Sequence, residues 1–62
     1  MYVVFCYDDE KWVSGLRKNA FSMCNNKCDA LRFPNLQVAT EFVSVLRVLY
    51  PDIYFRIFPF SE

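Results

Sequence analysis

Leu36-Gln37-Val38-Ala39-Thr40-Glu41-Phe42-Val43-Ser44-Val45-Leu46-Arg47-Val48-Leu49 is the stretch whose periodicity decides the fold. At about 100° per residue, Val45, Val38, Leu49, Phe42, Leu46, Ala39 and Val43 fall on one arc. Arg47, Thr40, Ser44, Gln37 and Glu41 fall on the other, with Val48 the one large apolar intruder. A stripe that wide is the pattern of an amphipathic helix with one buried face. Asn35 supplies an N-cap, and Pro34 before it suits an extended approach. The helix stops at Tyr50, because the residue before a proline avoids the α region and Pro51 follows.

On the C-terminal side, Ile53-Tyr54-Phe55-Arg56-Ile57-Phe58 is β-branched and aromatic and predicts a strand. Alternation puts Ile53, Phe55 and Ile57 towards the helix stripe, and Tyr54, Arg56 and Phe58 on the other face. Pro59 has no N–H to donate, so the ladder should end there and leave Phe60 in a short tail. At the other end, Tyr2-Val3-Val4-Phe5-Cys6-Tyr7 is apolar at both parities, the pattern of a central strand covered on both faces. Asp8-Asp9-Glu10-Lys11 breaks it as a charged turn.

Residues 11–33 admit two readings. In one, Lys11-Trp12-Val13-Ser14 returns as a strand that Gly15 ends or bulges. Ala20-Phe21-Ser22-Met23 forms another, and Asn25-Asn26-Lys27 turns into Ala30-Leu31-Arg32-Phe33. In the other, residues 10–23 form a helix with Trp12, Val13, Leu16, Ala20 and Met23 on one stripe, and the fold becomes βαβαβ. Against that helix stand Gly15 at its centre, at about 1 kcal/mol, the weak helix formers Trp12 and Val13, and Phe21 on the polar side. The strand reading is favoured. It makes the chain an α+β protein, a mainly antiparallel sheet of three or four strands with the helix on one face, and residues 1–62 a single compact domain.

The chain has 62 residues, seven basic, seven acidic and no histidine, with 55% hydrophobic and 19% aromatic residues. That composition is far from the polar, highly charged signature of disorder. A balanced charge argues against bulk nucleic acid and against an anionic membrane surface. No run approaches the roughly 20 apolar residues that span a bilayer, and the first apolar run lacks the basic flank of a secretory signal. The cysteines, Cys6, Cys24 and Cys28, are odd in number, unlike a disulfide-stapled secreted domain. A reducing cytoplasm is the expected compartment. A zinc site needs four Cys or His ligands, which three thiols and no histidine do not supply, so neither metal nor cofactor is expected.

The order strand, short strands, helix, strand, with Ala30-Leu31-Arg32-Phe33 followed by Ala39-Thr40-Glu41-Phe42, resembles small proteins of phages and mobile elements. These combine a Trp- or Tyr-bearing hairpin, an Ala-Leu-x-Phe strand, a helix with Ala-x-x-Phe and a last strand ending near proline. The resemblance covers pattern and brings no catalytic residue. It implies a small cytoplasmic protein that binds a host component.

Catalysis is not expected. No histidine is present to titrate near neutrality, and one glycine cannot build a phosphate loop. Asp8-Asp9-Glu10 lacks the alternating spacing of a calcium loop. One helix covers one face of a sheet, so the other must meet water, a partner or a second copy. The sequence assigns Tyr2, Val4 and Cys6 to that uncovered face together with Tyr54, Arg56 and Phe58, unless residues 11–27 fold across it. The expected interaction surface is therefore Tyr2, Trp12, Tyr54, Arg56, Phe58 and Phe60. Its expected role is protein interaction, as an inhibitor or adaptor that binds a host protein, or homodimerisation. The alternative is a single-stranded nucleic-acid platform on the same aromatics, helped by Arg17 and Lys18.

Overall fold

The computed structural model describes residues 1–17 and 20–60, with Arg17 described in its backbone alone. Strands β1 (Tyr2–Cys6), β2 (Lys11–Arg17) and β3 (Ala20–Cys24) are followed by a 3-10 turn at Lys27–Asp29. Helix α1 (Leu36–Leu49) and strand β4 (Phe55–Pro59) complete the order. The four strands form one antiparallel sheet in the order β3-β2-β1-β4. This is a small α+β fold, and where a second helix over residues 10–23 was the other reading, residues 11–17 and 20–24 form strands.

The helix has the ends its sequence dictates. The Asn35 side chain accepts from Val38 N at 2.9 Å, which satisfies one of the amides the first turn leaves without a partner. Ala39, Val43 and Leu46 are buried and Phe42 is half-buried. The buried stripe is narrower than the wheel implies, for Val38, Val45 and Leu49 are 38, 47 and 49% exposed. α1 packs chiefly on β1 and β4, and Phe21 of β3 reaches the ring of Tyr50 at its C-terminal end at 4.9 Å.

Gly15 follows a bulge. Val13 pairs with Met23 and Gly15 with Ser22, leaving Ser14 as the extra residue. A bulge swaps the parity of the residues beyond it, so Val13 and Leu16 share a face although they are three apart. Glu10, in the turn between β1 and β2, adopts φ 53°. The left-handed region costs a residue with a Cβ about 1 kcal/mol.

β1 and β2 pair directly only at Phe5 with Trp12 and Cys6 with Lys11. Beyond that point residues 31–33 occupy the gap between them. Leu31 N donates to Val13 O at 3.0 Å on the β2 side, and Phe33 exchanges both backbone bonds with Tyr2 on the β1 side, at 2.8 and 2.9 Å. The expected strand at residues 30–33 is thus a single bridge that wedges two strands apart. Phe33 is buried and its ring lies 4.9 Å from that of Phe42.

Register corrects the assignment of β1. Val4 lies opposite Ile57 and Cys6 opposite Phe55, so Tyr2, Val4 and Cys6 share the helix-side face with Phe55 and Ile57. Val4 and Cys6 are fully buried in the core with Val13, Phe33, Ala39, Val43, Leu46 and Phe55, and Tyr2 packs against that core. Val3 and Phe5 face the other way, opposite Phe58 and Arg56. Pro59 does not end the ladder before itself. It is the last paired residue, opposite Tyr2, at a strand edge where its missing N–H breaks no bond.

Candidate functional site

The face away from the helix carries a continuous set of rings. Phe5 sits at the centre, edge-on to Tyr7 (5.0 Å), Trp12 (4.8 Å) and Phe58 (6.1 Å). Trp12 and Phe58 touch at 5.8 Å, and Tyr7 meets Tyr54 at 5.2 Å. Three strands build this set. β1 supplies Phe5, β2 supplies Trp12 directly opposite it, and β4 supplies Phe58 one step along. Edge-to-face packing matches the positive ring edge to the negative ring face, worth about 0.5–1.5 kcal/mol per pair beyond burial.

Cations cap the rings. Lys27 Nζ lies 5.4 Å from the Trp12 ring centre and 5.9 Å from that of Phe60. Arg32 Cζ stands 4.4 Å over Phe60, and Arg56 Cζ is 5.8 Å from Phe58. The segment after β3 brings the first two here. Asn26 caps the 3-10 turn by accepting from Cys28 N at 2.9 Å, and Arg32 Nη2 donates to Cys28 O at 3.0 Å. Phe60 is held by its amide, which donates to Met1 O at 2.7 Å. None of the four strands contains an acidic residue, so the strand-borne part of this face carries only positive charge.

Of the six residues expected at the surface, Trp12, Tyr54, Arg56, Phe58 and Phe60 are brought together here. Tyr2 is not, because its register turns it towards the helix. Tyr54 is 56% exposed and Tyr7 39%, while Phe5, Trp12, Phe58 and Phe60 are half-buried. Residues 11–17 and 20–24 do not fold across the face, being strands of the sheet itself. Lys27, Arg32 and Phe60 cover one end instead. Lys18 lies outside the described residues, as does the Arg17 side chain. Sequence reasoning missed Phe5, Tyr7, Lys27 and Arg32. Phe5 was legible only through the β1–β4 register, and Lys27 and Arg32 carried no local signal.

The thiols do not converge. Cys6 is buried, Cys24 Sγ donates to Asn26 O at 3.2 Å, and Cys28 is exposed. Among the described residues no three metal-ligating side chains come together, and no helix is long and apolar enough to cross a membrane. A shallow groove of about 430 Å³ lies between α1 and β4, lined by Thr40, Val43, Arg47 and residues 54–57. Fold and surface together define a small α+β protein with one aromatic, cation-capped sheet face. The chain matches no protein-family model, no curated protein and no solved structure.

Proposed function

We propose that this chain is a non-catalytic protein-interaction module that binds a protein partner on its aromatic sheet face. The observation that carries the reading is the joined set of Phe5, Tyr7, Trp12, Tyr54 and Phe58, partly in water and flanked by Lys27, Arg32 and Arg56. Aromatic anchors with arginine at the rim are the composition of interface hot spots. The cations, with no acidic residue in any strand, favour a partner surface that sets carboxylates among apolar side chains. In this reading the chain acts as an inhibitor or adaptor, the role implied by its resemblance to small phage and mobile-element proteins. A sequence without histidine has no side chain whose ordinary titration falls near neutrality, which favours binding over proton-transfer catalysis.

The same cations favour a second reading, a single-stranded nucleic-acid platform. Ring geometry weighs against it. Base stacking needs open ring faces, whereas Phe5 meets Trp12 and Tyr7 edge-on and Lys27 and Arg32 lie over Trp12 and Phe60.

The test is affinity capture from lysate, with and without nuclease, using the wild-type chain, Arg56→Glu and Trp12→Ala. A protein retained after nuclease by the wild type and lost by both folded variants supports the first reading. Loss of every bound component on nuclease treatment supports the second.

A further inference from the structure

β4 is an outer strand, and its pairing with β1 settles which of its backbone groups face away from the sheet. Tyr7 N donates to Tyr54 O at 3.1 Å, and Phe60 N donates to Met1 O at 2.7 Å. Hydrogen-bonded pairs alternate along an antiparallel ladder, so Phe5 with Arg56 and Val3 with Phe58 are the bonded pairs between those two. Tyr2 has the other parity, and its backbone accordingly turns away from β4 to bond Phe33. Phe55 and Ile57 therefore aim N–H and C=O at the free edge. Among the described residues, no backbone hydrogen bond from another element reaches them. Pro59 follows on the same edge with no N–H to offer.

This edge is one wall of the groove against α1. The other wall is Thr40, Val43 and Arg47, three and four residues apart on one side of the helix. Val43 and Phe55 are buried in it and Ile57 half-buried, whereas Arg47 and Arg56 are exposed. Both charged residues of the lining are thus cations, one on each wall. Glu41 and Asp52, the acids nearest in sequence, do not line the groove.

We propose that an extended acidic peptide adds to β4 as a fifth strand, seated between that strand and α1. The outward N–H and C=O groups of Phe55 and Ile57 match an extended backbone, which offers a donor and an acceptor at every second residue. The two guanidinium groups select carboxylates, which accept their forked donors. Charge also excludes a strand from a second copy of this chain. None of the four strands carries an acid, and β4 itself would bring Arg56 against Arg56. Side chains of an added strand alternate between faces. Of two neighbouring carboxylates, one therefore reaches the helix side, towards Arg47, and the next lies beside Arg56 on the other. Pro59 ends the seam, which is short, so the complex is weak and transient.

The site lies at the sheet edge on the helix side, whereas the ring cluster lies on the opposite face. Failure of one leaves the other standing. Arg56 is common to both, so Arg47 carries the test.

The probe is a capped, dye-labelled octapeptide of valine and threonine with a central pair of glutamates, titrated by fluorescence anisotropy with up to about 1 mM protein. The wild type should bind it, and Arg47→Glu should bind at least about tenfold more weakly. Lys11→Glu makes the same change of charge at an exposed position outside the groove and should bind as the wild type does. Replacing the two glutamates by glutamines should weaken binding to the wild type about tenfold as well. By heteronuclear NMR, the peptide should slow hydrogen exchange at the amides of Phe55 and Ile57. That readout reports strand addition rather than charge attraction, and it needs only the wild-type chain. The proposal is overturned by no binding up to about 1 mM, by equal losses in Arg47→Glu and Lys11→Glu, or by unslowed exchange at both amides. Displacement of the peptide by an equal concentration of inorganic phosphate also overturns it, for the groove would then be a plain anion site.

Discussion

Beneath the helix, Val4, Cys6, Val13 and Phe55 are withdrawn from water completely. Across the thickness of the same sheet, Phe5, Trp12 and Phe58 keep part of their rings exposed, and Tyr54 more than half of its surface. Both faces are apolar. One is closed by a helix whose Ala39, Val43 and Leu46 lie against the strands. The other is closed by rings packing on each other and by the long side chains of Lys27 and Arg32. A small aliphatic surface excludes water fully, whereas rings and cations leave edges and charges available. The first arrangement supplies stability and the second supplies a surface that can bind.

That contrast is testable residue by residue. Phe55→Ala removes a fully buried ring and should cost about 3–5 kcal/mol, comparable with the ~5 kcal/mol at the low end for a small domain. The variant should be largely unfolded by circular dichroism. Phe58→Ala, on the other face of the same strand, should cost about 1–2 kcal/mol in urea melts, because its ring is only partly buried. Equal losses would mean the two faces are closed alike, and the comparison would break.

The helix offers the same contrast within one element. Leu46→Ala should cost about 2–5 kcal/mol, while Val45→Ala, 47% exposed one residue earlier, should cost under about 1 kcal/mol. A large loss at Val45 would mean that this side of the helix is covered after all. Asn35→Ala removes the cap bond to Val38 N and should cost about 1 kcal/mol by denaturant titration.

Arg56→Glu should change folding least, by about 0.5 kcal/mol or less, since the side chain is exposed and its one ring contact is long. It should still weaken partner capture by well over about tenfold if the ring face is the interface. Unchanged capture by a folded Arg56→Glu chain would move the interface away from β4.

The elements that were legible in the sequence are those whose determinants are close together in the chain. Helix Leu36–Leu49 and its Asn35 cap follow from a 3.6-residue period and a side chain reaching three residues ahead. The alternation of Phe55, Arg56, Ile57 and Phe58 is local in the same sense, while at Gly15 the sequence left open an end or a bulge and pairing with β3 decided for the bulge. The face of β1 was not legible. Its residues are apolar at both parities, and a strand without alternation has no intrinsic up or down. Only pairing with β4, some fifty residues away in the chain, turned Tyr2, Val4 and Cys6 inwards and brought Phe5 to the centre of the ring cluster.

By itself, then, the sequence determined the α+β class, the extent of the one long helix and the outward direction of Tyr54, Arg56 and Phe58, because hydrogen bonding and side-chain period act over a few residues. Tertiary structure alone decided the strand order β3-β2-β1-β4, the wedge of residues 31–33 between β1 and β2, and the place of Lys27 and Arg32 over the rings. Those depend on contacts between distant segments, where the geometry of pairing and packing, rather than the preference of any one residue, selects the arrangement.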